Sequence, residues 1–154
     1  MQEGARRALK LVGESGLWKV VSRVHTRLYR LSRGLIGHRA VGLASLLLTT
    51  TGRRSGTQRT VALTYVPDGE DFVVVASNGG ADRHPAWWLN LKARPEAVVQ
   101  VGANRVPIVA HAADPDERRR LWPILTASNP FYTRYALLTA RPIPVVVLRP
   151  RARA

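Results

Sequence analysis

The sequence predicts a mainly β protein of the α+β class, built as a small closed or split β-barrel of about six mostly antiparallel strands. Three observations support this prediction. Short apolar segments rich in β-branched residues recur along the chain, tight turns separate them, and few helical patterns lie between them. The length of 154 residues fits one domain with a single core.

The predicted strands share the apolar, β-branched composition of a sheet interior. They are residues 42–51, 60–66, 72–77, 97–101, 105–112 and 144–149. Asp68-Gly69 forms a strong turn signal between the second and third strands, and Gly-Ala-Asn joins the fourth to the fifth. Because hairpins this short connect antiparallel strands, the sheet is predicted to be mostly antiparallel.

Helical patterns interrupt the strands at residues 84–93, 114–127 and 129–138. Pro85 is expected near the first turn of the first helix. Asp114 is the predicted N-cap of the second helix, with Pro115 at its first position and Glu117 completing a capping box. Pro123 lacks an N–H donor, so it is expected to kink or end this helix.

A basic N-terminal segment, residues 1–40, precedes the barrel domain predicted at residues 41–154. The segment carries nine lysines and arginines but two glutamates. Residues 17–31 place apolar side chains on one helical face and basic side chains on the other, which predicts an amphipathic helix. Two interpretations stay open and are compatible: the helix packs on the barrel, or it rests on an anionic membrane surface.

The sequence favours a cytoplasmic location. It contains no cysteine, which excludes a disulfide framework and any thiolate metal site. It also has no apolar run as long as a membrane span, and its N-terminus has no signal-peptide core. A peripheral position on the inner face of the cell membrane is compatible with the basic helix.

The net charge of +14 predicts an anionic partner, which is nucleic acid, an acidic lipid surface or an acidic small molecule. Specific nucleic-acid binding is not expected, because no predicted strand carries the exposed aromatic ladder that stacks bases. The four histidines are widely separated in the sequence, so no metal site is predicted. The sequence lacks the Gly-x-Ser-x-Gly motif of many hydrolases, so it does not indicate a hydrolase.

The stretch "TGRRSGTQR" places Arg53, Arg54 and Arg59 on a glycine-bearing turn between two predicted strands. It is neither a Walker loop nor a dinucleotide fingerprint, because the required lysine and the following helix are both missing. Backbone N–H groups of such a turn, with guanidinium groups beside them, suit an oxyanion. A solvated basic loop is the alternative.

The stretch "ASNGGADRHPAWW" ends an apolar strand in Gly79-Gly80. Two consecutive glycines allow positive φ or the close approach of a flat ligand. Trp87 and Trp88 follow, and one of them is expected to face the core while the other points elsewhere. Further along the chain, Tyr132 and Tyr135 are three residues apart on one helical face, where they either pack in the core or line a substrate pocket.

Hydride transfer from a redox cofactor fits this set of residues, because the cofactor supplies the reactivity while the protein positions and shields it. Several motifs together resemble the deazaflavin-dependent nitroreductase family of actinobacteria. They are "LLLTTTGRRSGTQR", "VVVASNGGADRHPAWWLNLKARPEAVVQVG", "DPDERRRLWP" and "IPVVVLRP", in the family's order and over about residues 17–150. The resemblance implies a split β-barrel that uses coenzyme F420, whose phosphate and oligoglutamate tail are anionic.

The resemblance also implies roles for individual residues. The coenzyme tail is expected at Arg53, Arg54, Thr57 and Arg59. The ring system is expected against Leu63, Thr64, Ala76, Ser77, Asn78, Gly79, Gly80 and Trp87. The acceptor, a quinone, an activated enone or a nitroaromatic, is expected beside Tyr132 and Tyr135, with Tyr132, Tyr135, Ser77 or solvent as the proton donor.

Three positions depart from the family pattern. Asn78 stands where relatives often carry a lysine, and Thr64 and Asn129 stand where the nitroreductase branch has tyrosines. These changes leave the tail site intact but alter the pocket that receives the acceptor. Two alternatives stay open: an FMN-dependent reductase on the same barrel, and a basic β-barrel without enzymatic activity that binds nucleic acid or lipid.

Overall fold

A computed structural model describes residues 39–40 and 43–152, so the predicted helix at residues 17–31 lies outside the described residues. The described part of the chain contains eight strands and three α-helices. The strands are β1 (Arg39–Ala40), β2 (Leu43–Thr51), β3 (Gln58–Thr64), β4 (Val66–Asp68), β5 (Asp71–Val75), β6 (Glu96–Val101), β7 (Asn104–Ala112) and β8 (Val145–Pro150). The helices are α1 (Ala86–Ala93), α2 (Pro115–Ser128) and α3 (Phe131–Leu138), and a 3-10 turn spans Asn78–Gly80.

The strands form one curled antiparallel sheet in the order β1-β2-β6-β7-β8-β5-β4, with β3 also paired to β2. β3 and β4 are separated by Tyr65 alone, yet β3 pairs with β2 and β4 pairs with β5 at the far end of the order. The Tyr65 N–H donates to the carbonyl of Ala44 at this corner. One stretch of chain therefore joins both ends of the sheet, which confirms the predicted mainly β fold of the split-barrel type.

The core lies on both faces of the sheet, and β5 and β8 separate its two halves. Val74 and Val146 pack into a cluster with both tryptophans of α1. Their neighbours Val73 and Val147 pack on the opposite face, against α2 and α3. Because successive side chains of a strand point to opposite faces, two covered faces require the continuous apolar runs seen in the sequence.

Two details of the sequence prediction needed correction. The predicted strand at residues 60–66 is two strands that bend at Tyr65, because it must pair with both ends of the sheet. Pro123 lies inside α2, which continues to Ser128, so of the two outcomes expected for it, a kink or the end of the helix, the end is excluded. The predicted capping box of Asp114 and Glu117 is present.

Among the described residues, no helix is both long and apolar enough to span a bilayer.

Candidate functional site

The turn between β2 and β3, residues 52–57, is here called the arginine turn. The Gly52 N–H donates to the Thr57 carbonyl at 2.8 Å, and the Gly56 N–H donates to the Gly52 carbonyl at 2.8 Å. Gly56 has a φ of +68°, a value that favours glycine. A Cβ on Gly52 would lie 2.7 Å from the Ser55 hydroxyl oxygen. Both glycines are therefore required by the path of the backbone.

Arg53, Arg54 and Arg59 are exposed on or beside this turn, as predicted. Thr57 lies among them, and its hydroxyl is 2.6 Å from that of Ser55. Within the described part of the chain, none of the three guanidinium groups forms a salt bridge with a carboxylate. Unpaired guanidinium groups close together suit an extended anion such as a phosphate or a carboxylate chain.

Asn90 of α1, which the sequence analysis did not single out, holds the arginine turn in place. It is 5% exposed. Its side-chain oxygen accepts the Arg53 N–H at 3.1 Å, and its side-chain nitrogen donates to the buried Thr50 hydroxyl at 3.1 Å. A lone asparagine in the otherwise apolar run "AWWLNL" was the available signal, because a buried amide requires partners.

The stretch after β5, residues 77–81, is here called the left-handed turn. Asn78, Gly79 and Gly80 have φ values of +49°, +63° and +78°. Asparagine tolerates this region better than most residues do, and the Asn78 side chain is held by donation to the Arg83 carbonyl at 3.0 Å. The predicted positive φ is thus present at both glycines.

Gly80 faces α3 at close range. A Cβ at this position would lie 3.0 Å from the Leu138 Cβ and 3.1 Å from the Tyr135 carbonyl oxygen. The missing side chain therefore allows the turn to pack against the helix. This packing is a sufficient reason for glycine at position 80, and it does not require a bound ligand.

Ser77 lies at the start of the left-handed turn and is 8% exposed. Its hydroxyl caps no helix and forms no hydrogen bond with the described residues. A buried hydroxyl without a protein partner is uncommon, and a bound ligand or water commonly explains one. This hydroxyl, which has no partner in the part of the chain that the structure describes, is the feature of the left-handed turn that points to a bound group.

Arg141, between α3 and β8, contacts the left-handed turn and was also missed by the sequence analysis. Its guanidinium donates to the carbonyls of Ser77 at 2.7 Å, Ala81 at 2.8 Å and Ala76 at 3.3 Å. It also lies 3.2 Å from His84 Nδ1. Burial first, and then the positive charges of Arg141 and Lys92, lower the pKa of His84. An arginine in a short loop near the C-terminus gives no sequence signal for these contacts.

Tyr132 and Thr64 meet across the barrel. The Tyr132 hydroxyl is 2.8 Å from Thr64 Oγ1, and the tyrosine is 7% exposed. Burial raises the pKa of Tyr132, while hydrogen bonds with Thr64 and Asn129 oppose this shift. Burial, followed by repulsion from Tyr132, raises the pKa of the half-buried Tyr135. Both phenols therefore keep their protons at neutral pH.

A crevice of about 10 Å³ lies beside this pair, lined in part by Thr64, Asn129 and Tyr132. That space is at the lower limit for one water molecule. Leu63, predicted with the ring-binding residues, is half-buried and packs against the core cluster that contains the tryptophans.

The two tryptophans of α1 correct one expectation. Trp87 is 8% exposed and Trp88 is 7% exposed, so both pack in the core. The prediction that only one of them faces the core was wrong. Their burial anchors α1, which carries Asn90 in its last turns and follows directly after His84 and Pro85. The eight-residue helix spans about 12 Å, and its Asn90 contacts the arginine turn.

Within residues 43–152, no group of histidine, aspartate and glutamate side chains is arranged to hold a metal ion.

Comparisons with known proteins identify relatives of this chain. The family model described as F420H(2)-dependent quinone reductase matches residues 21–150. An F420H(2)-dependent quinone reductase of Mycobacterium tuberculosis is 45% identical over 133 residues, which cover 84% of this chain and 89% of that protein.

Two solved structures are also similar. One, described as an F420-H2 dependent reductase, superimposes with a TM-score of 0.63 at 37% identity and covers 68% of this chain and 93% of its own. The other, described as a domain-swapped dimer, has a TM-score of 0.66 at 32% identity and covers 82% of this chain and 96% of its own.

Proposed function

This chain belongs to the F420H(2)-dependent quinone reductase family, and we propose that it reduces a quinone-type acceptor with reduced coenzyme F420, which it holds at the arginine turn and the left-handed turn. The protein is thus an oxidoreductase. The observation that carries the placement is the set of exposed guanidinium groups at Arg53, Arg54 and Arg59, which lack carboxylate partners within the described residues.

The chemistry of these residues fits the coenzyme at two places. The arginine turn offers charge-assisted hydrogen bonds to an anionic tail. The left-handed turn offers the orphaned hydroxyl of Ser77 at a buried position. When bound, the coenzyme supplies a hydride to an electron-poor acceptor.

Binding and orientation are the work of this chain's own residues. Arg53, Arg54, Arg59 and Thr57 bind the tail, and the turn from Ala76 to Gly80 orients the ring system. Leu63 and Trp87 support the walls of the site: Trp87 is buried in the core, and the half-buried Leu63 packs against the same cluster. Correct placement of two reactants lowers the barrier because their relative motion is already restricted.

A quinone that gains a hydride also needs a proton to become a quinol. We propose Tyr132, Tyr135 or the Ser77 hydroxyl as its source, with solvent as the alternative. Tyr132 is favoured by its contact with Thr64, because this hydroxyl at 2.8 Å can relay a proton from solvent to the phenol, accepting one as it donates its own.

Replacing Tyr132 with phenylalanine tests this role. Tyr132→Phe should lower kcat about tenfold or more, while the affinity for the coenzyme changes less than twofold, because general acid catalysis contributes at least this much. Steady-state kinetics and a coenzyme titration measure the two effects. Tyr135→Phe is the matched comparison, and unchanged kcat in both variants would assign the proton to Ser77 or solvent.

The experiment for the overall function is a fluorescence titration of the purified protein with F420, with FMN run in parallel. Saturable binding of F420 and not of FMN is expected. An acceptor screen with quinones, enones and nitroaromatics then identifies the preferred substrate. Binding of FMN alone would keep the redox class but overturn the choice of coenzyme.

A cytoplasmic location with peripheral contact at the inner membrane face is a further part of the proposal. It rests on the basic, amphipathic pattern of residues 17–31. Sedimentation with anionic and with neutral lipid vesicles tests it. Binding to the anionic vesicles that weakens with salt is expected, and equal recovery with both would refute it.

A further inference from the structure

We infer that Arg141 is a positioning residue for the coenzyme site: it holds the left-handed turn in the shape that receives the coenzyme ring. The inference rests on the proposed function, because the turn matters to catalysis only if the coenzyme binds there. It adds a residue that neither the sequence motifs nor the family resemblance indicates.

Arg141 makes an unusually large number of contacts with the left-handed turn and its flanks. The Arg141 guanidinium uses all three of its nitrogens within 3.5 Å of acceptors. Nη2 donates to the Ser77 carbonyl at 2.7 Å, and Nε donates to the Ala81 carbonyl at 2.8 Å. Nη1 reaches the Ala76 carbonyl at 3.3 Å and His84 Nδ1 at 3.2 Å. The acceptors lie on both sides of the three residues with positive φ.

The left-handed turn needs support from outside its own residues. Residues 78–80 adopt a backbone conformation that costs free energy for asparagine, and their own hydrogen bonds are few. The Gly80 N–H donates to the Ser77 carbonyl at 3.0 Å, and the Ala81 N–H donates to the Asn78 carbonyl at 3.2 Å. A guanidinium that bridges Ser77 and Ala81 closes the turn from outside.

Only an arginine can make this set of contacts. Three carbonyls and an imidazole nitrogen surround a planar, rigid fork of five N–H donors, whereas a lysine offers one compact ammonium. Arg141 forms no salt bridge with a carboxylate in the described part of the chain. Asp82 acts on Arg141 electrostatically, but the hydrogen bonds of the guanidinium go mainly to backbone carbonyls, which fixes the geometry of the turn.

Arg141 is itself held in place by the residues around it in the loop before β8. Its neighbour Ile143 is 3% exposed and lies in the core. On the other side, the Arg141 N–H donates to the Thr139 hydroxyl at 3.3 Å. The Ala76 N–H donates to the Pro144 carbonyl at 2.9 Å, so the loop and the start of the turn are also joined directly. The backbone that carries the Arg141 side chain is therefore held in place.

Arg118 provides a matched control. Its Nη1 donates to the Ile143 carbonyl at 2.7 Å, and its guanidinium lies 4.6 Å from the centre of the Trp122 ring. It therefore binds the same loop through a backbone carbonyl, and it is partly buried like Arg141. It does not touch the left-handed turn.

The experiment compares Arg141→Met, Arg141→Lys and Arg118→Met. Hydrogen exchange at residues 77–81 should become faster in both Arg141 variants and stay unchanged in Arg118→Met. The dissociation constant for F420 should rise about tenfold in both Arg141 variants, the size expected when hydrogen bonds from a charged group are lost. In Arg118→Met it should change less than twofold, although urea unfolds that variant more easily. The KM for the acceptor should change less than the KM for the coenzyme.

Added methylguanidinium should restore part of the affinity in Arg141→Met and none in Arg141→Lys, where the ammonium occupies the place of the lost group. Faster exchange with an unchanged F420 affinity, in a folded variant, would overturn the inference. So would unchanged exchange. Failure of the wild-type protein to bind F420 would instead overturn the proposed function, and the exchange rates would still decide whether Arg141 holds the turn.

Discussion

The arginine turn and the left-handed turn differ in what keeps each in shape. The arginine turn closes on itself through the Gly52 and Thr57 backbone, is exposed, and presents charge. The left-handed turn is largely buried and depends on Arg141 and on packing against α3. Changes in the first are thus expected to alter ligand affinity with little effect on folding, whereas changes in the second alter folding and affinity together.

The strongest test of this contrast adds one methyl group to a glycine in each turn. Gly80→Ala should lower the free energy of unfolding by about 3 kcal/mol, because strain at positive φ adds to overpacking against Leu138. Gly56→Ala should cost about 1 kcal/mol, since its φ is similar but nothing lies within 4 Å of the added Cβ. Urea denaturation measures both, and equal losses would contradict the contrast.

A substitution at Asn90 tests whether the arginine turn keeps its shape through its own hydrogen bonds or also needs support from α1. Asn90→Ala leaves the Arg53 N–H and the Thr50 hydroxyl without this partner, so it should cost about 2 kcal/mol of stability. It should also weaken F420 binding. Gln100→Ala, which removes an amide bonded to the Gly102 carbonyl in a surface hairpin, is the control and should cost under about 0.5 kcal/mol. Similar losses in the two variants would show that Asn90 is not a specific support.

The charges of the arginine turn should affect binding alone. Arg54→Ala and Arg59→Ala should each weaken F420 binding about tenfold at low salt, and the effect should shrink as salt screens the ion pairs. Stability should change by under about 0.5 kcal/mol, since both side chains are exposed. Arg105→Ala, which removes an exposed arginine near the start of β7, is the control. Unchanged affinity for F420 in both test variants would show that the coenzyme tail does not bind at the arginine turn.

The smallest effect is expected from His84, which contacts Arg141 beside the left-handed turn. Because its pKa is lowered in the folded protein, the unfolded chain binds more protons between that lowered pKa and the ordinary value of about 6.5. Stability should therefore fall slightly as the pH drops below about 6.5. His84→Gln should flatten this part of the curve of stability against pH. Parallel curves for the two proteins would exclude the effect.

Much of the fold was predictable because its signals are local. The β-branched runs, the Asp68-Gly69 hairpin and the capping box of Asp114 depend on neighbours in sequence, and all three are present. The bend at Tyr65 was not predictable, because it arises where one strand must pair with both ends of the sheet. The burial of both Trp87 and Trp88 likewise depends on what surrounds α1.

The same division holds for the site. The sequence by itself determined that this protein carries a cluster of arginines on a glycine turn and a second glycine turn after an apolar strand, since both are contiguous motifs. Only the tertiary structure decided what supports them. Asn90 lies 37 residues from Arg53, and Arg141 lies 64 residues from Ser77. Hydrogen bonds over such separations leave no periodicity or spacing in the chain, because they exist only once the barrel has brought α1 and the loop before β8 against the two turns.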